Sequence, residues 1–501
     1  MQLSGPLLAK VNPQISQELL AISKRLATKD SSIWGPGTEA KARLNWVDLP
    51  LTSRNLMPEL DSLSAWARSN HLDRVILCGM GGSSLAAEVI AATYKKDLTV
   101  VDSTHPGQVL HAISTGLQNS VIIIASKSGT TIETLSHLKF FDAKLTELGL
   151  KPENHLVIIT DPNTPLDKSS RAQGLKVVNA DPYVGGRFSA LSAFGLVPAA
   201  LLGIDVSVLL DDAEIITARF IEEDSPAIAI AGLIFTESQQ FINLCDAKSN
   251  VPGLSDWIEQ LIAESTGKNQ IGRLPVVIAD PSESAQNMVI GFSKGSFDIS
   301  VEASLGEHFI LWEWVTSLLC YLLKVDPFNQ PNVTEAKERT AQILKSMTSN
   351  EFTQTRPLLE NSSYVIYSNL GISGLQDFFR LPSSYVAVMA YLSSVQDKEI
   401  KGIRKAMSKK FAKPVTFGWG PRFLHSTGQF HKGGQPNGCF VQITAELAQD
   451  LPIPSENFTF ADLLIAQALG DAEALSERNL PLFRIHLKES KAGIAKLLES
   501  F

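Results

Sequence analysis

From about Asp73 onward the chain is punctuated by short, unbroken apolar runs: RVILCGM at 74–80, LTVVDS at 98–103, VIIIAS at 121–126 and HLVIITD at 155–161. Helical stretches such as SLAAEVIAATYKK and ETLSHLKFFDAKLTEL separate them. A strand with one wet face alternates apolar and polar residues, whereas an unbroken apolar strand must be covered on both faces. Strands of this kind alternating with helices predict a parallel, doubly wound α/β sheet.

The pattern recurs. A second α/β unit begins near Ala227 with AIAIAGLIFTESQQF, continues through DWIEQLIAES, RLPVVIAD and SFDISV, and closes on the long apolar helix EHFILWEWVTSLLCYLLK and the segment PFNQPNVTEAK. A third, from about 346 to 501, mixes the runs YVIYSN, YVAVMAYL, CFVQITAE and LFRIHLKE with the helical KEIKGIRKAMSKKF and FADLLIAQALG. At the start of the sequence QISQELLAISKRLATK has helical spacing before GPGTEA breaks it, so 1–50 is expected to be a helical lead-in. The expected domains are thus 1–50, 51–215, 216–345 and 346–501: two doubly wound parallel-sheet domains and a C-terminal α/β domain. A length of 501 residues demands several cores, because single cores stop growing near ~250–300 residues.

Several partner classes drop out on composition. No run of 18 apolar residues is present to span a bilayer, and MQLSGPLLAKVNPQISQ lacks the basic-then-apolar-then-small pattern of a secretory leader. The expectation is a cytoplasmic protein with no membrane partner. Cys78, Cys245, Cys320 and Cys439 lie far apart with no CxxC or metal-ligand spacing, and are expected to be reduced core thiols. A net charge of −8 removes the electrostatic signature of nucleic-acid binding, and means that any anion must be held by local donors.

Two turns offer such donors. Cys78-Gly79-Met80-Gly81-Gly82-Ser83-Ser84 joins a strand to a helix, where glycines admit close backbone approach and the helix start presents unpaired N–H groups. It fits neither GxGxxG nor GxxxxGK[ST], so no nucleotide cofactor is implied. Ser126-Lys127-Ser128-Gly129-Thr130-Thr131-Ile132-Glu133-Thr134 gathers five hydroxyl residues at another helix start. Thr130 with Glu133 reads as a capping box, leaving Ser126, Ser128 and Thr131 for a ligand. Both turns fall at carboxyl ends of strands, the edge where parallel sheets bind ligands.

These turns, together with Val184-Gly185-Gly186-Arg187-Phe188-Ser189, Glu264-Ser265-Thr266-Gly267-Lys268 and Pro327-Phe328-Asn329-Gln330-Pro331-Asn332-Val333-Thr334-Glu335-Ala336-Lys337, follow one another as in sugar isomerase (SIS) domains. The ordered set over 73–337 resembles the glucose-6-phosphate isomerase family. Gly420-Pro421-Arg422-Phe423-Leu424-His425-Ser426-Thr427-Gly428-Gln429 and His431-Lys432-Gly433-Gly434 are further similar to the isomerase part of fused transaldolase–isomerase polypeptides.

The resemblance implies two SIS domains and an aldose–ketose isomerase of glycolysis and gluconeogenesis. It would interconvert glucose 6-phosphate and fructose 6-phosphate through a cis-enediol, with no metal or cofactor. Gly82, Ser83, Ser126, the Lys127 backbone N–H, Ser128, Thr131 and Gly186 would hold the sugar phosphate. Glu264 would carry the proton between C1 and C2, Arg187 would stabilise charge on the enediolate oxygens, and Gln330 and Lys337 would contact the ligand. For ring opening the first choice is His308, in Gly306-Glu307-His308 ahead of FILWEW, where the family has Gly-Gln-His. His425 and His431 are the reserves, on the expectation that the third domain brings their loop near the sugar site. Two alternatives stay open: an isomerase that also takes mannose 6-phosphate, and a sugar-phosphate sensor without chemistry. A monomer and a homodimer are both compatible, since the added domain stands where a second subunit would complete the site.

Overall fold

The computed structural model describes residues 1–348, 357–371 and 375–501, without the side chains of 333–337, 347–348, 375–376 and 379. The first strand, β1 (Gln2–Ser4), is followed by β2 (Arg74–Gly79), β3 (Leu98–Val101), β4 (Ser120–Ala125), β5 (Leu156–Thr160) and β6 (Lys176–Asn179). The last five form one sheet in the order β3-β2-β4-β5-β6, every neighbour parallel. β4 and β5 are buried along their whole length, as their unbroken apolar sequences require. Val75, Leu77, Val121 and Ile123 face one core, whereas Ile76, Cys78, Ile122 and Ile124 face another. Chain order runs outward to β3 on one side of β2 and to β4 on the other. That reversal opens a crevice at the carboxyl ends of β2 and β4.

β7 (Phe241–Cys245), β8 (Leu274–Val277), β9 (Val289–Gly291) and β10 (Ile299–Glu302) make the second sheet, in the order β1-β10-β9-β7-β8. Here the structure corrects the sequence reading of 1–50 as a purely helical lead-in. β1 pairs antiparallel with β10, placing Leu3 opposite Val301, and the terminal ammonium meets Glu307 at 3.0 Å. A strand of three residues is too short for a period of two to declare itself. The rest of the lead-in does contain the expected helix, Pro13–Ala27, capped by Asn12. The apolar helix Leu305–Leu323 starts on a Ser304/Glu307 capping box and is buried over most of its length, as a sequence apolar on all sides must be.

β11 (Leu359–Glu360), β12 (Tyr364–Ser368), β13 (Tyr385–Ala390), β14 (Val415–Trp419), β15 (Gly438–Ala445) and β16 (Leu482–Leu487) build the third sheet, β11-β12-β16-β15-β13-β14. Its four parallel strands carry β12 and β11 antiparallel at one edge. This third unit is wedged against the other two. Phe460 and Leu463, from the helix Phe460–Glu477, share a core with Ile122 and Ile124 of the first sheet. Phe430 and Tyr385 share another with Ala263 and Leu274 of the second. All four cysteines are buried and unpaired. Among the described residues no helix is long and apolar enough to cross a membrane.

Candidate active site

The crevice between β2 and β4 leads into a cavity of about 280 Å³. Three turns form its floor. After β2 the chain makes the tight turn Gly81–Ser83 before the helix Leu85–Thr93, with Gly81 at φ 54°. The turn Gly186–Phe188 lies against it so closely that a Cβ on Gly82 would come within 2.2 Å of the Gly186 carbonyl oxygen. After β4, Ser126–Thr131 leads into the helix Ile132–Glu147. Gly82, Ser83, Lys127, Ser128, Thr131 and Gly186 all line the cavity. Ser126 stands one layer behind and donates to Thr131 Oγ1 at 3.0 Å. Lys127 gives its ammonium to both Asp161 oxygens, each at 2.7 Å, and to the Asp181 carbonyl. That arrangement takes its side chain out of ligand binding and leaves its backbone as the contributing part.

The predicted capping box of Thr130 and Glu133 does not form. Thr131 is the N-cap and makes no side-chain cap bond, while Thr130 faces Ser128 at 3.0 Å. The Glu133 carboxylate, 4% exposed, accepts instead from Gln467 Nε2 at 2.7 Å and lies 3.0 Å from His425 Nε2. Tertiary partners from the third unit outcompete the local backbone for this side chain.

Glu264 and Arg187 face each other across the cavity wall. Glu264 sits in the last turn of the helix Leu254–Thr266, where the helix dipole disfavours a negative charge. Its Oε1 is 3.6 Å from Arg187 Nη2, and both side chains are buried. The same Nη2 donates to Gln330 Oε1 at 2.8 Å and the Phe328 carbonyl at 2.9 Å, fixing the guanidinium on the segment after the apolar helix. Gln260, one turn before Glu264, donates from Nε2 to Glu264 Oε2 at 3.1 Å and to the His425 carbonyl at 2.7 Å. Lys268 is buried and donates to the Asp326 carbonyl. Burial, and then the neighbouring Arg187 cation, hold its ammonium down to about 7.

The three candidate histidines separate sharply. His308 is fully buried in the interior of the helix Leu305–Leu323, edge-on to Phe292, with neither ring nitrogen hydrogen-bonded. Burial depresses its pKa to about 3. It does not line the cavity, so the first choice for the ring-opening residue is corrected: an apolar helix carried the imidazole inward with it. His431 is also interior, bonded at Nδ1 to Tyr385 OH at 3.1 Å. His425 alone of the three lines the cavity. Of the two histidines of the third unit's loop, His425 therefore reaches this cavity and His431 does not. Lys337 belongs to the helix Pro331–Thr348, but its side chain lies outside the described residues.

The family description "Phosphoglucose isomerase" matches residues 13–270, just over half of the chain. The chain belongs to the phosphoglucose isomerase family. Among its relatives, the glucose-6-phosphate isomerase of Mycoplasmopsis pulmonis is 25% identical over 421 residues, 67% of this chain and 97% of that protein. The probable glucose-6-phosphate isomerase of Haloarcula marismortui is 32% identical over 214 residues, covering 40% of this chain and 49% of that one. The Thermus thermophilus glucose-6-phosphate isomerase is 30% identical over 276 residues, or 52% and 65% respectively. The chain thus spans nearly all of the first relative but about half to two thirds of the other two. A solved glucose-6-phosphate isomerase from Chlamydia trachomatis shares the fold, with a TM-score of 0.55 at 17% identity over 69% of this chain and 86% of that one.

In this member of the phosphoglucose isomerase family, sequence reasoning missed Gln260, Gln467 and Glu133 as parts of the site's wiring. Glu133 had a local reading that absorbed it. Gln467 lies in a helix of the third unit, with nothing in its own neighbourhood to mark it.

Proposed function

We propose that this chain is an aldose–ketose isomerase that interconverts glucose 6-phosphate and fructose 6-phosphate through a cis-enediol. The phosphate rests on the donor-rich floor: Gly82, Ser83, the Lys127 backbone, Ser128, Thr131 and Gly186, with Ser126 orienting the Thr131 hydroxyl. Glu264 takes the proton from C2 of the opened aldose. The electron pair moves into C1–C2 as O1 takes up a proton to give the enediol. The O2 hydroxyl then gives up its proton as C2 becomes the carbonyl, and the proton held by Glu264 returns at C1, so that the net change is one hydrogen from C2 to C1 and one from O2 to O1. Arg187, held by Gln330 and two backbone carbonyls, neutralises the charge that builds on O1 and O2 during that transfer. Lys337 is proposed as a ligand contact on its resemblance alone.

For ring opening the proposal passes from His308 to His425. His425 gives a proton to the ring oxygen as its bond to C1 breaks and takes up the C1 hydroxyl proton as the C1 carbonyl forms, with Glu133 orienting the imidazole. The third unit of the same chain brings His425 to the cavity, which supports a monomer as the working unit.

The observation that carries this reading is the Glu264 to Arg187 approach of 3.6 Å above the hydroxyl-lined turns. A sensor for sugar phosphates needs the turns but has no use for a buried carboxylate opposed to a buried guanidinium. The test is steady-state conversion of fructose 6-phosphate, with Glu264→Gln as control. Wild-type turnover abolished in that variant supports the reading; a chain with no turnover under any substrate concentration overturns it.

A further inference from the structure

The third sheet repeats a strand order of the first. From β13 the chain goes to one side for β14 and to the other for β15 and β16, as from β2 it goes to β3 and then to β4 and β5. All four strands are parallel. The reversal that opens the sugar crevice in the first sheet therefore opens a second crevice here, at the carboxyl ends of β13 and β15. A cavity of about 230 Å³ lies there. Tyr391, just after β13, and Thr444 and Ala445, at the end of β15, line it, and the helix Phe460–Glu477 covers it with Leu464, Ala468 and Leu469. None of these residues has a part in the proposed isomerisation.

One cation faces this cavity without a counterion. Arg484, in the middle of β16, lines it and is partly buried. Among the described residues its guanidinium makes no hydrogen bond and no ion pair, and Glu473, whose charge reaches it through space, is exposed and out of contact. A carboxyl group so placed can take up a proton and become neutral. A guanidinium stays charged, so burial that lowers its pKa marks a cation short of partners. Arg484 rests on the face of its cross-strand neighbour Tyr367, with 5.3 Å between guanidinium carbon and ring centroid. That contact leaves the planar fork of N–H donors without an acceptor. Thr444 and His486, also cross-strand neighbours, occupy each other at 2.9 Å. Glu446 reaches His486 Nε2 at 3.4 Å from outside, with its side chain 70% exposed, and does not line the cavity.

The rest of the wall sets what the anion must carry. Tyr367 and Tyr391 give aromatic surface, and Leu447, Leu464 and Leu469 give aliphatic surface. The volume holds on the order of eight non-hydrogen atoms, at ~30 Å³ for each. A phosphate dianion calls for many donors, as the hydroxyl-rich turns of the sugar cavity supply; a lone guanidinium matches the single charge and the two oxygens of a carboxylate. We propose that this cavity binds a small monocarboxylate with an aromatic or compact apolar body, its carboxylate on the Arg484 fork and its body against the tyrosines and the leucines of the covering helix. The site stands on the third unit alone and is independent of the isomerase reading.

The test uses the full chain with benzoate as the probe, benzamide as its uncharged counterpart and inorganic phosphate as an anion without a body, followed by titration calorimetry. Saturable benzoate binding with Kd below about 10 mM is expected, with benzamide at least about tenfold weaker. Arg484→Gln removes the fork and is expected to weaken benzoate at least about tenfold, while any phosphate binding, belonging to the sugar cavity, stays within about twofold. Should that variant misfold by circular dichroism, Leu469→Trp, which fills the cavity from its partly exposed rim, carries the same comparison. Absent benzoate binding, equal binding of benzamide, or undiminished benzoate binding in the folded variant overturns the site. Phosphate binding that falls in Arg484→Gln as far as benzoate binding does overturns the choice of a carboxylate. Fructose 6-phosphate turnover of Arg484→Gln is expected within about twofold of wild type, and absent turnover in the wild type would count against the isomerase reading while leaving the benzoate result to stand.

Discussion

His425 Nε2 lies 3.0 Å from a Glu133 oxygen although 292 residues separate the two in the chain. Glu133 belongs to the helix Ile132–Glu147 that follows β4 of the first sheet and His425 to the third unit, so the pair exists only because the third unit docks on the first. Gln467 Nε2 locks the same Glu133 oxygen at 2.7 Å, and Thr104 in turn locks Gln467.

Replacing His425 with Ala removes the only candidate histidine that reaches the cavity. Turnover of ring-closed glucose 6-phosphate is expected to fall by about 10²–10⁴, the usual worth of a positioned proton donor, while open-chain substrate is spared. Glu133→Gln should show the same selectivity more weakly. Stopped-flow comparison of the two substrate forms checks both.

His308→Leu is expected to leave turnover intact. A buried imidazole with no hydrogen bond at either nitrogen costs about 1–3 kcal/mol, and an apolar side chain of similar size relieves that cost. Urea unfolding should therefore show equal or greater stability than wild type. Lost activity in a folded His308→Leu protein would return that residue to the mechanism.

Arg187→Lys should not rescue Arg187→Ala. One lysine nitrogen cannot reproduce a planar guanidinium held by Gln330 Oε1 and the Phe328 carbonyl while facing Glu264. Both variants are expected to lose about 10²–10³ in kcat with a smaller change in KM.

Gly82→Ala tests the floor of the site. The new Cβ would stand 2.2 Å from the Gly186 carbonyl oxygen, so the two turns must separate. A destabilisation of about 1–3 kcal/mol is expected, along with a raised KM for sugar phosphates. Thermal unfolding and steady-state kinetics measure the two effects.

Lys268 gives a pH signature of known sign. Its ammonium is held at about 7 in the folded protein against 10.5 ordinarily, so between those values the unfolded chain binds the extra proton. Stability contributed at this site then rises with pH from about 7 to about 10.5, and the penalty is fully present below 7. Urea midpoints of wild type relative to Lys268→Met should climb across that window. A flat difference would mean that Lys268 keeps its ordinary pKa.

The sequence by itself determined what is local. Unbroken apolar runs fixed β2, β4 and β5 as strands buried on both faces. The hydroxyl- and glycine-rich turns after β2 and β4 were legible because a strand, a tight turn and a helix start are written in adjacent residues. Glu264 and Arg187 were singled out only by the resemblance that their motifs carry when taken together in order. Tertiary structure alone decided where long-range partners meet. Burial of an all-apolar helix took His308 inward, docking of the third unit brought His425 to the cavity, and that docking drew Glu133 out of a capping box that its spacing favoured. Local backbone preferences are worth about a kilocalorie, and a buried carboxylate with two specific donors outweighs them. No window along the chain contains those donors, which is why only the folded molecule reveals them.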